Sequence, residues 1–150
     1  ERGPNISNEN RRYPPSMFWG GFSAAKLKAN AKMASHRITL YLNKRTNATK
    51  MQKKEIAELL RNGKEEKARI RVESVIREDF TMEAYEILQL MCDLLAERIR
   101  LIASERDTPG DMREALSTLV YAARRTEIPE LLEVRKQLGL KYGKPFLERA

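Results

Sequence analysis

The chain has 150 residues, of which 33% are charged and only 7% are aromatic, and its formal net charge is +8. This length suits a single domain, and the scarcity of aromatic residues argues against a sheet protein, because strands favour aromatic and β-branched side chains. No run of about 18 apolar residues is present, which excludes a membrane-spanning helix from this stretch of sequence. We therefore expect an all-α protein.

The N-terminal segment is polar throughout. Residues 1–16 end near Pro14-Pro15 and lack the apolar core of a secretory signal. We expect residues 1–16 to be a disordered extension or a remnant of cloning, and residues 17–150 to form one helical domain. Residues 17–22 are predicted to be a short apolar lead-in to the first helix.

A long first helix is predicted at residues 23–61. Ser23 is a suitable N-cap, and Asn62-Gly63 supplies a stop, because glycine readily adopts the left-handed conformation that ends helices. Apolar residues recur at close to the heptad period and predict one narrow buried stripe. The stripe consists of Leu27, Ala31, Ala34, Ile38, Tyr41, Ala48, Ile56, Leu59 and Leu60.

The charge of this first helix is one-sided. Between Asn10 and Lys54 there is no Asp or Glu, whereas the same stretch carries eleven Lys or Arg residues. Surfaces that only keep a protein soluble usually mix both signs. We therefore predict a basic face that binds an anionic membrane or an acidic partner. It consists of Lys26, Lys28, Lys32, Arg37, Lys44, Arg45, Lys50, Lys53 and Lys54.

A second long helix is predicted at residues 64–104, antiparallel to the first because the connection between them is so short. Its first half is thinly apolar but carries an alternating-sign ladder at i, i+4 spacing, which supports an exposed helix. The ladder is Glu65, Arg69, Glu73 and Arg77. Its second half is apolar nearly all round, so we expect more than the first helix to cover it. Cys92 lies there, and a lone cysteine favours a reducing, cytoplasmic compartment.

Two shorter helices are predicted to supply that cover, at residues 110–124 and 127–142. Thr126 is suited to cap the second of them, and Pro129 falls in its first turn, where a missing N–H is tolerated. Pro145 is expected to end it, which leaves only five residues for the start of a further helix.

No pattern of residues supports catalysis. The single histidine, His36, has no carboxylate near it in sequence to orient it as a general base. One His and one Cys cannot make a structural zinc site, and we expect Cys92 to be a buried, inert thiol. One acidic cluster lacks the glycine turn of a calcium loop and is interpreted as a solvated helix surface: Glu78, Asp79, Glu83 and Glu86. We predict a non-enzymatic protein without a cofactor or metal.

A dense mixed-charge motif opens the second helix. It comprises Gly63-Lys64, Ala68-Arg69-Ile70-Arg71-Val72-Glu73 and Ile76-Arg77-Glu78-Asp79. This motif resembles the signature of the increased-sodium-tolerance (IST) family, which are ESCRT-III-like regulators of the multivesicular body and vacuolar protein sorting pathway. Supporting matches lie at residues 21–28, 86–98, 117–123 and 141–144, so that the resemblance covers about residues 17–146.

The resemblance implies an ESCRT-III-like core, in which two long helices form a hairpin and shorter helices pack near one end. It implies a scaffold or regulator of endosomal sorting and membrane remodelling, located in the cytoplasm and peripherally on endosomal membranes. The implied partners are ESCRT-III subunits (the charged multivesicular body proteins), the MIT-domain AAA ATPase that disassembles them, an anionic membrane surface and further copies of the chain.

The resemblance also makes six motif residues candidates for assembly contacts: Arg69, Arg71, Glu73, Arg77, Glu78 and Asp79. We expect the chain to stop before the fifth core helix of this fold. Contact with the ATPase is expected to need a C-terminal region beyond Ala150.

An alternative stays open, namely a cationic helical protein that binds nucleic acid through its phosphates. Tyr41 is the only aromatic residue of the first helix, so recognition of single strands by base stacking is not expected.

Overall fold

A computed structural model describes residues 21–150, and this range is helical apart from its connections. The predicted extension and the first part of the predicted lead-in lie outside the described residues. Six α-helices follow in chain order, with a 3-10 turn at Gly110–Met112 before the fourth. They are α1 (Ala24–Arg61), α2 (Glu65–Glu97), α3 (Ile99–Ser104), α4 (Arg113–Ala122), α5 (Pro129–Tyr142) and α6 (Lys144–Arg149).

The two long helices form the predicted antiparallel hairpin. Ser23 caps α1 as expected, because its Oγ accepts a hydrogen bond of 3.2 Å from the backbone N–H of Lys26. Gly63 has φ +68°, and a Cβ added there would meet nothing within 4 Å. The glycine is therefore required by the backbone conformation of the turn and not by packing.

The main core lies at the base of the hairpin, which we define as the end where α3–α6 pack on α1 and α2. The first turns of α1, the second half of α2 and the inner sides of α4 and α5 meet there, with Cys92 fully buried among them. Its fully buried large side chains include Leu27, Ile38, Leu95, Ile102, Leu116, Leu119, Leu131 and Leu138. Most of the apolar area that stabilises the domain is thus buried at one end.

The tip of the hairpin, around the turn at Gly63, has a small core of its own. It contains three buried side chains, Ile56, Ala68 and Val75, with Leu59 packed against them. No residue of this small cluster belongs to the main core among residues 21–150. Tyr85 is the main-core residue of α2 nearest the tip in sequence, and Tyr41 of α1 stacks on it with ring centroids 4.3 Å apart.

The predicted apolar stripe of α1 is correct at the base but not throughout. Leu27, Ala31, Ala34 and Ile38 are fully buried, whereas Ala48 and Leu60 are exposed. Thr49 is buried in place of Ala48. It lies eleven residues after Ile38, which is close to three whole turns of an α-helix, so the buried side follows the 3.6-residue period there.

Several predicted boundaries and caps are wrong. The second helix does not run to residue 104, because a single non-helical residue, Arg98, separates α2 from α3. No glycine or proline marks this break. The Arg98 guanidinium donates a 3.0 Å hydrogen bond to Asp111 in the 3-10 turn, which ties the break to the next element.

The third predicted helix begins as a 3-10 turn, and its α-helical part, α4, ends at Ala122 instead of residue 124. Thr126 does not cap α5, since its hydroxyl donates to the carbonyl of Ala122 and Ile128 occupies the N-cap position. Pro129 does lie in the first turn of α5, as expected.

Pro145 does not end α5 either. Gly143, with φ +85°, ends α5, and Pro145 lies in the first turn of α6. Helix α6 packs closely on α5, with Leu147 lying against Gly139. A Cβ at Gly139 would lie only 2.6 Å from Leu147 Cδ1, so the contact needs a glycine there. The start of a further helix expected after Pro145 is present within the described residues as α6, which begins one residue before Pro145 and packs against α5.

Candidate interaction surfaces

The predicted basic face divides into two groups. Arg37, Arg45 and Lys53 form ion pairs with other helices. The other six lysines are exposed on α1: Lys26, Lys28, Lys32, Lys44, Lys50 and Lys54. The first group is engaged within the fold, so the second supplies the side chains most available to an anionic partner. That role of the basic face stays a prediction.

The ion pair between Arg37 and Glu130 connects α1 to α5. Arg37 Nε lies 2.8 and 2.7 Å from the two carboxylate oxygens, and a second guanidinium nitrogen also donates to Glu130. This two-pronged geometry is the favourable one for arginine and carboxylate. The hydrogen bond from Arg37 holds the pKa of Glu130 below its ordinary value.

Three apolar side chains of α1 point away from the core, between the free lysines. Met33, Leu40 and Met51 are each at least half exposed. At about 100° per residue they fall on one line of the helix, with lysines within about a quarter-turn on both sides. Met33 and Leu40 also line a shallow groove of about 410 Å³ between α1 and α5, together with His36. This arrangement resembles that of helices that lie in a membrane interface.

The six motif residues offered as assembly contacts are already engaged within the hairpin. Arg71 pairs with Glu55 of α1 at 3.0 Å, and Asp79 pairs with Lys53 at 3.4 Å. Glu78 lies 3.4 Å from Arg45, which also sits over the Tyr41 ring. These three pairs join α1 to α2 in the half of the hairpin that has few buried apolar residues.

The remaining motif residues pair along α2. Arg69 lies 2.8 Å from Glu65, and Arg77 lies 3.4 Å from Glu73, which gives two steps of the predicted ladder. All four side chains are well exposed. The interpretation of the acidic cluster as a purely solvated surface is thus partly wrong, because Glu78 and Asp79 pair with basic side chains of α1.

An exposed apolar surface remains on α2, although α4 and α5 cover part of its apolar half as expected. Its members are Ile76, Phe80, Ile87, Leu90 and Leu94, with exposed fractions of 49%, 66%, 52%, 69% and 37%. We call this surface the outer α2 stripe. Its members recur at steps of three, four and seven residues, parallel to the buried stripe of Tyr85, Leu88, Cys92 and Leu95.

The outer α2 stripe ends in a groove between α2 and α4, which we call the α2–α4 groove. Its floor is apolar, its volume is about 320 Å³, and Asp111 and Glu114 stand at its rim. Asp111 is paired with Arg98, whereas Glu114 is exposed. From Phe80 to Glu97 α2 carries four carboxylates and no Lys or Arg. The surface is therefore apolar and acidic, the opposite of the basic face of α1.

Within residues 21–150, neither of the two residues considered for catalysis belongs to an arrangement that would activate it. Burial raises the pKa of the Cys92 thiol to about 12, so the thiolate needed for nucleophilic attack does not form near neutral pH. His36 is an exposed residue of α1 in the shallow groove beside α5. No helix within residues 21–150 is both long enough and apolar enough to span a bilayer.

Comparison with known proteins points to one family. Residues 28–150 match the family model of Ist1, described as a regulator of Vps4 activity in the MVB pathway. An IST1-like protein of Dictyostelium discoideum is 42% identical over 127 residues, which are 85% of this chain and 34% of that protein. The vacuolar protein sorting-associated protein IST1 of Saccharomyces cerevisiae is 30% identical over 131 residues, 81% of this chain and 44% of that protein.

A solved structure agrees with these matches. The Ist1 N-terminal domain of S. cerevisiae, crystallised in complex with the Did2 MIM motif, superposes with a TM-score of 0.75 at 29% identity. The match covers 83% of this chain and 71% of that domain. The chain spans less than half the length of the curated relatives it matches. The long hairpin, the motif at the start of α2 and the matched range together identify the chain as a member of the Ist1 family.

Proposed function

We propose that the chain is a non-enzymatic binding module of the multivesicular body pathway, which regulates a Vps4-type AAA ATPase by capturing ESCRT-III subunits. The observation that carries this proposal is the α2–α4 groove together with the outer α2 stripe. A helix buried on one side should not expose five large apolar residues on the other unless a partner covers them. The family description supports the pathway, and the complex of the yeast relative supports the kind of partner.

The proposed occupant is a short amphipathic helix from an ESCRT-III subunit of the Did2 type. The apolar floor suits leucine-like anchors at i, i+3, i+4 and i+7 spacing. The carboxylates of the second half of α2 favour lysine or arginine beside those anchors, and they should steer such a helix toward the groove. A partner with acidic residues in the same places would be repelled.

A peptide titration tests this site. The probe is a synthetic peptide from the C-terminal segment of a Did2-type subunit. It is titrated into the parent protein and into the Leu90→Asp variant, and binding is measured by calorimetry. Leu90 is 69% exposed, so the substitution leaves the core intact. Losing one buried leucine contact weakens binding by roughly 10- to 100-fold. Leu60→Asp is the matched control, because Leu60 is 53% exposed but lies at the tip of the hairpin. Equal affinity of all three proteins would contradict the proposal.

The link to the ATPase is tested separately. The hydrolysis rate of a Vps4-type ATPase is measured with a Did2-type subunit, in the presence and absence of the chain. We expect the parent to change the rate and Leu90→Asp to have a much weaker effect. An ATPase rate that the parent leaves unchanged would argue against regulation through subunit capture.

The second proposed surface is the exposed part of the basic face, which we propose places the chain peripherally on endosomal membranes. Each lysine held near an anionic surface contributes on the order of 1 kcal/mol, and Met33 and Leu40 add apolar contact between the lysines. Co-sedimentation with phosphatidylserine vesicles should decrease strongly in Lys32→Glu/Lys50→Glu. A pair of reversals outside α1, Arg100→Glu on α3 and Arg124→Glu in the connection between α4 and α5, changes the net charge equally and serves as the control.

The same experiment addresses nucleic acid as the alternative partner. Binding to vesicles and to duplex DNA both weaken with salt, so they are compared at about 0.15 M. Tighter binding to DNA than to vesicles at that ionic strength would favour the alternative. If both reversed variants lost vesicle binding equally, the binding would depend on the net charge of the protein and not on the basic face.

A further inference from the structure

A second basic surface lies far from α1 in sequence, at the end of the bundle. A cavity of about 560 Å³ opens where the α3–α4 connection, α4, α5 and α6 meet. Three arginines from three different elements line it: Arg106, Arg113 and Arg149. We call it the arginine cavity. Neither the predicted basic face nor the α2–α4 groove includes any of its residues.

Positive side chains outnumber negative ones in the arginine cavity. Within residues 21–150 Asp107 is the one carboxylate that lines it, and the charge of Glu105 also acts on Tyr142 in its wall. None of the three arginines takes part in an ion pair within residues 21–150, although Arg149 Nε donates to the carbonyl of Pro145. Guanidinium groups present planar pairs of N–H donors that match phosphate oxygens. Three such groups around one cavity suit a ligand with several phosphates.

The cavity also carries hydroxyl donors. Thr108 and Ser117 line it, and the Tyr142 hydroxyl oxygen is buried without a hydrogen-bond partner within the described residues. Burial, together with the charges of Glu105 and Asp107, raises the pKa of Tyr142 to about 12, so its hydroxyl stays a donor. Thr108 and Ser117 are therefore the hydroxyls that a bound oxygen could contact from the cavity, because the Tyr142 oxygen is buried.

An aromatic wall completes the cavity. The rings of Tyr142 and Phe146 pack against each other with centroids 5.3 Å apart, and both residues line the cavity. The positive φ of Gly143 turns the chain into α6, and the missing side chain at Gly139 lets Leu147 approach. These two glycines therefore help α6 to bring Phe146 and Arg149 to the wall of the cavity.

We propose that the arginine cavity binds an inositol polyphosphate, either free or as the headgroup of a phosphoinositide. Its volume admits a substituted six-membered ring rather than a single phosphate, the arginines bind the phosphates, and the aromatic wall packs on the C–H face of the ring. This proposal stands on its own observations and does not depend on the peptide groove or on the basic face of α1.

The first experiment uses inositol hexakisphosphate as the probe, titrated by calorimetry at about 0.15 M salt, where surface charges are screened beyond about 8 Å. We expect saturable binding to the parent and at least about tenfold weaker binding to Arg113→Gln/Arg149→Gln, since two charge-assisted contacts are lost. Arg100→Gln/Arg124→Gln removes the same charge outside the cavity and should bind as the parent does. Thermal melts check that both variants are folded.

The second experiment separates the two sources of the ligand. Phosphoinositide vesicles are compared with phosphatidylserine vesicles of equal surface charge. A headgroup site predicts that Arg113→Gln/Arg149→Gln loses only the excess binding to phosphoinositide vesicles. Parent binding to the soluble probe without any excess binding to phosphoinositide vesicles assigns the site to a free inositol phosphate. Failure of the parent to bind the soluble probe, or equal loss in the Arg100→Gln/Arg124→Gln control, overturns the proposal.

Discussion

At its base the α1–α2 hairpin packs against four shorter helices around a continuous apolar core, whereas at its tip it is held by three buried side chains and a few ion pairs between exposed residues. The same two helices thus depend on different forces at their two ends. Apolar burial at the base is worth roughly 25 cal/mol per Å² and is not screened by salt. Ion pairs between exposed side chains contribute about 0–1 kcal/mol each and are screened. The tip should therefore open locally while the base remains folded.

A substitution at the base should have the largest effect. Leu95 is fully buried in the main core, and Leu95→Ala should lower the free energy of unfolding by about 2–5 kcal/mol through lost burial and a cavity. Val75→Ala at the tip should cost only about 1 kcal/mol, because less is removed and the surroundings can relax. Urea denaturation followed by circular dichroism measures both. Equal losses would mean that the hairpin unfolds as one cooperative unit.

Thiol reactivity should sharpen the contrast between the two ends. Cys92 is fully buried and its thiol pKa is raised to about 12, so a thiol reagent at pH 8 should react only after the base opens. A thiol at the tip, Val75→Cys in a Cys92→Ala background, should react at least about tenfold faster through local opening. Reaction is followed by absorbance under native conditions. A tip thiol as protected as Cys92 would contradict local opening.

Removing an ion pair should have a smaller, salt-dependent effect that is confined to the tip. Arg71→Ala breaks the contact with Glu55 and should cost about 0.2–1 kcal/mol at low salt and less at 1 M salt. Hydrogen exchange of the amides near the hairpin turn measures this change. Arg100→Ala, on the short helix α3, is the control and should leave exchange at the tip unchanged.

A similarly small effect, which depends on pH, is expected from the pair that joins α1 to α5. The pKa of Glu130 is lowered by its hydrogen bond to Arg37, so the paired carboxylate stabilises the fold above its unfolded pKa of about 4.3. That stability is lost as the pH falls through the lower pKa of the folded state. The melting temperature of the parent should exceed that of Glu130→Gln by a constant amount above about pH 5. The difference in melting temperature should disappear at lower pH. A difference that persists there would mean that packing, and not the ion pair, causes it.

The sequence was sufficient where local signals decide the structure. The cap at Ser23, the turn at Gly63 and the two long helices follow from residues close to one another in the chain. The interruption at Arg98 carries no such signal, because its partner Asp111 belongs to a later turn. An element of this fold was therefore predictable where the contacts that stabilise it join residues close in sequence, and not where they join distant ones.

The surfaces were harder to predict for the same reason. An all-round apolar helix indicates burial, but only the arrangement of α4 and α5 decides which side of α2 is covered and leaves Leu90 exposed. The basic residues of α1 can be grouped from the sequence, but the ion pair that engages Arg37 joins it to Glu130, 93 positions later in the chain, and no local pattern indicates it. The arginine cavity collects residues from 106 to 149 and has no sequence pattern at all.

The shape of the hairpin gives it a mechanical property. The turn at Gly63 lies 25 positions beyond Ile38, where the fully buried part of α1 ends, which is about 38 Å along the helix axis. A tilt of only about 8° at the base would move the tip by about 5 Å, the length of one helical turn. Small changes in how α1 rests on α5 are therefore amplified along the hairpin. A label placed beside Gly63 would act as the end of a lever and report on events at the far end of the molecule.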